Sequence, residues 1–204
     1  MDDFDIELDK MVDLADKIPE TILKKGKNAR SDIVVDGYNF DSNEELDFYY
    51  WVREAKDYGF IDNFVYQPPS FVLYPGYKNE KGKFIIREHI YTADFKIQFS
   101  DKWIQFRKDN NIKVFDKFDE KTVFIDVKGG FNRFGGDRGF SINLKWVFAK
   151  YGIYIWKIKP FEFFHKKTWL PKKSICTRKT GKVRAKYAGV KIFEKHGYIF
   201  ENTK

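Results

Sequence analysis

The chain has 204 residues, 43% of them hydrophobic, and a formal net charge of +8 at neutral pH. That is enough apolar material for one core with extensions, and the positive balance favours a polyanionic partner, nucleic acid before membrane surface. A single cysteine, Cys176, excludes an internal disulfide and a cysteine-rich zinc site, and no apolar run of about 18 residues offers a membrane-spanning helix.

Taken in chain order, residues 2–18 place Phe4, Leu8, Met11, Leu14, Ala15 and Ile18 at helical spacing, and Pro19 ends or kinks that helix. Its acids (Asp2, Asp3, Asp5, Glu7, Asp9) do not resemble a secretory leader, and the single cysteine fits a reducing cytoplasm as the expected compartment. A basic linker follows at 24–30, then a short strand at Ile33–Val35 and a turn at Asp36-Gly37. Ser42 is a good N-cap and Glu45, three residues on, completes a capping box. Leu46, Tyr49, Tyr50 and Val52 supply the apolar face of a helix running to about Tyr58, with Gly59 as its stop.

Phe64–Gln67 and Phe71–Tyr74 read as strand, interrupted by Pro68-Pro69, whose missing N–H donors suit a bent or edge strand. Asn79–Lys83 reads as a hairpin tip. Phe84–Phe99 reads as one extended stretch, with Tyr91, Ala93, Phe95 and Ile97 alternating against Thr92, Asp94, Lys96 and Gln98. Ser100–Lys121 is a polar insertion with Trp103, Ile104 and Phe106, holding a short helix or an extra strand. Thr122–Val127 is a buried strand that ends in Lys128-Gly129-Gly130. After a glycine- and arginine-rich loop containing Arg133 and Arg138, Ser141 caps a helix to about Tyr151, Gly152 ends it, and Ile153–Ile158 is a further strand. The order helix, strands, helix, strand predicts an α/β or α+β fold with a mixed sheet.

From His165 onward basic residues crowd and acids thin out. Lys172, Lys173, Arg178, Lys179, Lys182, Arg184 and Lys186 predict a nucleic-acid-binding arm, since dense Lys/Arg releases counterions from a phosphate backbone. Trp169, Tyr187 and Tyr198 lie among them, either to stack on unpaired bases or to pack the tail onto the core. His89 is read as facing solvent, and His165 and His196 are isolated.

The chemistry concentrates at one strand end. Residues two apart on a strand share a face, so Asp126 and Lys128 set a carboxylate beside an ammonium, and the following glycines admit close approach. With Asp94 on a second strand and the acids that open the first helix, the set suits a hard divalent metal and a phosphate. The competing reading of Asp94 and Asp126 is a structural salt bridge, and that of Glu45 is a cap without catalytic role.

Asp126-Val127-Lys128 resembles the D/E-x-K half of the PD-(D/E)xK nuclease signature, with Asp94 similar to its upstream acid and Glu45 to the acid of its first helix. Four blocks resemble a family of small phage-encoded nucleases whose pattern reads G-x-x-F-D-S-x-x-E, Q-P, Y-x-A-D-F and D-V-K-G. Here they are Gly37–Glu45, Gln67-Pro68, Tyr91–Phe95 and Asp126–Gly129, and the resemblance spans residues 34–158. The usual proline before the upstream acid is Ala93. The resemblance implies an α/β, restriction-endonuclease-like core at 31–160, with a mixed central sheet flanked by helices. An N-terminal helical arm and linker at 1–30 and a basic C-terminal extension at 161–204 complete the expected organisation. It implies a Mg²⁺-dependent DNA endonuclease, Mn²⁺ substituting, with Asp94, Asp126, the Val127 carbonyl and Glu45 as metal ligands and Glu45, Asp94, Asp126 and Lys128 as catalytic residues. Water would attack phosphorus in line and expel the 3′ oxygen. Glu44 competes with Glu45 for the helix position.

Arg133, Arg138, Lys145 and Lys150 join the tail lysines and arginines as candidate backbone contacts, a solvated helix face being the alternative for Lys145 and Lys150. Branched or recombination DNA is the sharpest substrate class, as for a Holliday-junction resolvase. Two related cuts would call for a homodimer, with the N-terminal helix as its candidate element, in the host cytoplasm if phage-encoded. The alternatives are a non-catalytic nucleic-acid-binding protein on this fold and a sequence-specific or defence-related nuclease. RNA stays open as a substrate; a membrane partner is not expected.

Overall fold

A computed structural model describes residues 33–117, 121–129, 136–193 and 199–201. The predicted N-terminal helix and linker, Arg133, His196 and Tyr198 lie outside the described residues. The described residues belong to one compact unit.

The chain opens on a hairpin of β1 (Ile33–Val35) and β2 (Tyr38–Phe40). Its turn is Asp36-Gly37, both with positive φ (51° and 82°). Helix α1 (Asn43–Asp57) starts where the capping box predicts: Ser42 Oγ accepts the Glu45 N–H at 3.1 Å. Strand β3 (Ile61–Tyr66) and β4 (Phe71–Tyr74) flank the Pro68-Pro69 break. The short β5 (Tyr77–Lys78) and β6 (Phe84–Ile86) form an exposed hairpin whose tip is tied by Asn79, and β7 (His89–Tyr91) returns along β4. Then come β8 (Phe95–Phe99), α2 (Asp101–Asp109), β9 (Thr122–Val127), α3 (Gly136–Tyr151), β10 (Ile155–Ile158) and α4 (Pro160–Lys166). Two 3₁₀ turns, Lys172–Ser174 and Ala185–Tyr187, and a last pair, β11 (Lys191–Phe193) and β12 (Ile199–Glu201), close the described chain.

The central sheet is mixed, ordered β10-β9-β8-β3, with β9 and β10 parallel and the other two pairs antiparallel. β3 is an edge strand, as prolines at its exit suggest. The parallel pair needs a crossover, and α3 supplies it. Helices flank the sheet. On one face Phe48, Trp51 and Val52 of α1 join Phe95, Ile97, Val123 and Ile125 in the main core. On the other, Phe140 and Val147 of α3 join Phe71, Tyr91, Ala93 and Ile155.

Two expectations change, and a third is decided between its alternatives. Phe84–Phe99 is three strands rather than one, broken at Arg87-Glu88 and at Thr92–Asp94. Burial still alternates through the second break, but Tyr91 and Ala93 enter one core and Phe95 and Ile97 the other, so the chain changes sheet face there. Helix α3 begins at Gly136, ahead of Ser141, which lies inside it. The Ser100–Lys121 insertion contains a helix, capped by Ser100 Oγ on the Trp103 N–H at 3.3 Å.

The segment after residue 160 is built into the main core, which corrects the reading of a separate basic extension. Trp169 and Leu170 are fully buried and Tyr187 nearly so. Their anchor is one stripe of α1 at positions spaced four, three and four apart, the helical repeat. Arg184 Nη1 and Nη2 meet Asp47 at 2.6 and 2.8 Å. Trp51 Nε1 donates to Thr168 Oγ1 at 3.2 Å. Glu54 accepts Trp169 Nε1 and the Lys172 N–H, both at 2.9 Å. Tyr58 Oη donates to the Phe193 carbonyl at 3.2 Å.

Candidate active site

The four sequence blocks, spread over more than ninety residues, are tied to one another by hydrogen bonds at one end of the sheet. Gln67 takes positive φ (50°), and its N–H donates to the Asp94 carbonyl at 2.7 Å. The Asp94 N–H donates to the Ile125 carbonyl at 2.9 Å. Asp94 Oδ2 then accepts the Val127 N–H at 2.6 Å, which locks its carboxylate against the end of β9. Tyr66 Oη donates to Glu45 Oε2 at 2.8 Å, and its oxygen lies 3.1 Å from the Asn39 carbonyl.

Asp126 and Lys128 share a face, as strand alternation requires. Lys128 Nζ stands 2.7 Å from Asp126 Oδ2. That oxygen belongs to a residue only 3% exposed, so the ion pair is buried on the carboxylate side. The buried Tyr91 hydroxyl lies beside the Asp126 carboxylate. Burial raises its pKa first, and the charges of Asp126 and Asp94 add to it. Asp94 is pushed up by burial first, then by the negative charges of Asp126 and Glu45; its bond from Val127 and the Lys128 ammonium offset this in part.

Glu45 is 7% exposed and also raised, by burial. Both its oxygens are engaged: Oε1 by the Ser42 hydroxyl at 3.1 Å, Oε2 by Tyr66 and by the Asp41 N–H at 3.3 Å. Its charge reaches Asp94, yet its lone pairs serve the helix start. Glu44 points elsewhere: its Cδ lies 3.8 Å from where a Cβ on Gly129 would stand, and it lines a cleft with Lys128.

The donor set suits a magnesium-like cation. Among the described residues no three acids, histidines or cysteines form a closed cage. Mg²⁺ rarely uses one; it takes one or two carboxylates and completes its shell with water and substrate phosphate. Two carboxylates at a strand end meet that description.

The remaining predicted residues scatter. Arg184 is spent on Asp47, so it is corrected from a nucleic-acid contact to an internal ion pair. Lys150 Nζ donates to the Val72 carbonyl at 2.7 Å, which ties the end of α3 to β4 and corrects its reading as a free phosphate contact. Arg138 and Lys145 are exposed on α3. Lys172 and Lys173 lie on the 3₁₀ turn beside α1, Lys173 over the Tyr50 ring. Arg178, Lys179 and Lys182 sit on the exposed tip of a small hairpin closed by Thr177 and Lys182. Only Lys186 joins Lys128, in the cleft with Glu44, Lys159 and Tyr187. Trp169 and Tyr187 are packed, not available for stacking. Tyr91 and Tyr66 were missed as site residues although both sit in or beside the motif blocks, where a tyrosine next to an acid was the available signal. Lys159 and Phe161 carried no such signal.

No curated protein and no solved structure matches the chain. One family model does, across residues 25–147, a stretch that contains all four hydrogen-bonded blocks. The chain therefore belongs to the family described as "Protein of unknown function (DUF1064)".

Proposed function

We propose that this protein is a metal-dependent DNA endonuclease with a restriction-endonuclease-like core. The observation that carries the reading is the strand-end set of Asp94, Asp126 and Lys128, two carboxylates with one ammonium 2.7 Å from Asp126. The element order supports it: a helix, three antiparallel strands, a helix and a fourth strand parallel to the third resemble the PD-(D/E)xK core.

Asp94 and Asp126, with the Val127 carbonyl, would hold Mg²⁺ or Mn²⁺. The cation supplies positive charge against the phosphate and makes water more acidic. The chain's own groups do the rest. The backbone N–H of Val127 fixes Asp94, so its carboxylate orientation is set before substrate arrives. Lys128, held by Asp126 and one-third exposed, presents its ammonium to the phosphate and offsets the charge that builds in the transition state. Water adds to phosphorus in line; the bond to the 3′ oxygen breaks, and that oxygen leaves with a proton. The products are a 5′ phosphate and a 3′ hydroxyl. Glu45 acts as a positioning residue: it caps α1, holds Tyr66 and adds negative charge near Asp94. Branched or recombination DNA is the substrate class in this reading, with a homodimer to make paired cuts.

The test is cleavage of labelled four-way junction, linear duplex and single-stranded DNA with Mg²⁺ or EDTA, by wild type and Asp126→Ala. Metal-dependent cutting that Asp126→Ala abolishes is expected. Binding without cutting, the same in both proteins, would overturn the catalytic reading in favour of a binding protein on this fold.

A further inference from the structure

The outer face of α4 carries an aromatic pair that nothing above uses. Phe161 is 48% exposed. Its ring lies 4.3 Å from that of His165, one helical turn on, and 6.4 Å from Tyr187, which it faces in a stacked orientation. It stands in a region otherwise rich in lysine.

Clefts lie at both ends of this helix, the first with its lysines paired to acids and the second basic. The first, of about 330 Å³, holds Lys128, Lys159 and Lys186 against Glu44 and Glu162, with Phe161 in its wall. Lys159 is partly neutralised by Glu162 at 3.8 Å, and Lys186 by Asp47 at 3.8 Å. The second, of about 510 Å³, is lined by Lys113, Lys166, Lys167 and Lys191, with no acid among the described lining residues. His165 borders it and contacts the Lys186 carbonyl at 3.2 Å, so the two clefts meet across the aromatic pair. The helix has seven residues, about 10 Å at 1.5 Å per residue. A row of lysines interrupted by an exposed aromatic is the arrangement that holds an unpaired strand: phosphates along the charge, a base on the ring. A paired base cannot reach such a ring, because its faces are covered by its neighbours in the stack.

We infer that α4 is a platform for an unpaired nucleic-acid strand, with a base on Phe161 and phosphates on the lysines of the two clefts, leading to Lys128. This rests on the nuclease reading for its destination and names the substrate that reading prefers: nucleic acid with one strand unpaired beside the cut.

The experiment is fluorescence-anisotropy binding of short oligo-dT, oligo-U and blunt duplex DNA to the full chain in EDTA, where cutting plays no part. Phe161→Ala should weaken oligo-dT binding about tenfold, because one base no longer stacks, leave duplex binding within about twofold, and be rescued by Phe161→Trp. Lys166→Ala with Lys191→Ala should lower the salt dependence of oligo-dT binding by about 0.7 in log–log slope for each phosphate that a lysine no longer neutralises. The oligo-U arm distinguishes RNA from DNA as the source of the strand. Unchanged oligo-dT affinity in Phe161→Ala, an equal loss on duplex, or no single-strand binding by wild type would each overturn the platform. Cleavage by wild type is scored separately, so a platform that binds in a protein that does not cut would sink the nuclease reading alone.

Discussion

Replacing Asp47 by alanine tests whether the C-terminal segment is part of the fold. Asp47 is 2% exposed and accepts two bonds from Arg184, at 2.6 and 2.8 Å, and one from the Tyr187 hydroxyl at 2.8 Å. Removing one partner of a buried pair costs about 3–5 kcal/mol, because the other charge is left without compensation. The Arg184 side chain keeps 17% exposure and can turn partly to water, which places its share near 3 kcal/mol. The buried Tyr187 hydroxyl, left without an acceptor, adds about 1 kcal/mol. Lys186, 42% exposed and 3.8 Å away, adds little after solvent screening. The total is about 4 kcal/mol, or roughly 8–16 °C in Tm for a chain of this length. The assay is urea denaturation of Asp47→Ala, Arg184→Met and the double variant, followed by intrinsic tryptophan fluorescence. The double variant should recover about half of the loss, since no buried charge is then left alone. A loss under about 1 kcal/mol in Asp47→Ala would refute the anchoring argument. So would an Arg184→Met protein of unchanged stability with weakened DNA binding, the result expected of a free basic arm.

Asp94 is pushed up to about 8 by burial and by Asp126 and Glu45. A carboxyl raised in the folded state contributes stability below its unfolded pKa of about 4 and loses it as pH rises toward the folded value. In EDTA the Tm is therefore expected to fall between about pH 4 and 8. Mg²⁺ should restore it most at the high end, and Asp126→Asn should flatten the profile and remove the Mg²⁺ response, all readable by thermal shift. Ser42→Ala removes the cap of α1 and one support of Glu45, for a loss of about 1 kcal/mol in urea unfolding. Gly76→Ala would set a Cβ 2.8 Å from the Glu88 nitrogen at a φ of 82°. It should loosen the β5–β6 hairpin by more than about 1 kcal/mol, seen as faster amide exchange at Tyr77–Ile86 with the core unchanged.

The exchange test on that hairpin bears on a wider point, because the arm is exposed and its Phe84, Ile85 and Ile86 contribute little to either core. Local stability follows how densely a segment is packed, so such an arm is expected to open well before the sheet does.

Much of this protein was legible in the residues alone, wherever the cause is local. Ser42 and Glu45 marked the start of α1 because a cap is satisfied within four residues. Asp36-Gly37 and Asn79–Lys83 marked turns for the same reason, and alternation along Thr122–Val127 set Asp126 and Lys128 on one face. What the tertiary structure decided are contacts between distant segments. Glu45 was visible as an acid near the site, but its commitment to Ser42, Tyr66 and Asp41 depends on where β3 passes. The break at Thr92–Asp94 was hidden because burial alternates through it, while the face being buried changes with the packing partner. The tail read as a nucleic-acid arm because its lysines dominate its composition, and its buried Trp169, Leu170, Tyr187 and Phe193 follow no period. Their positions answer to a stripe of α1 more than a hundred residues earlier, and a long-range partner leaves no periodic trace in the segment that needs it.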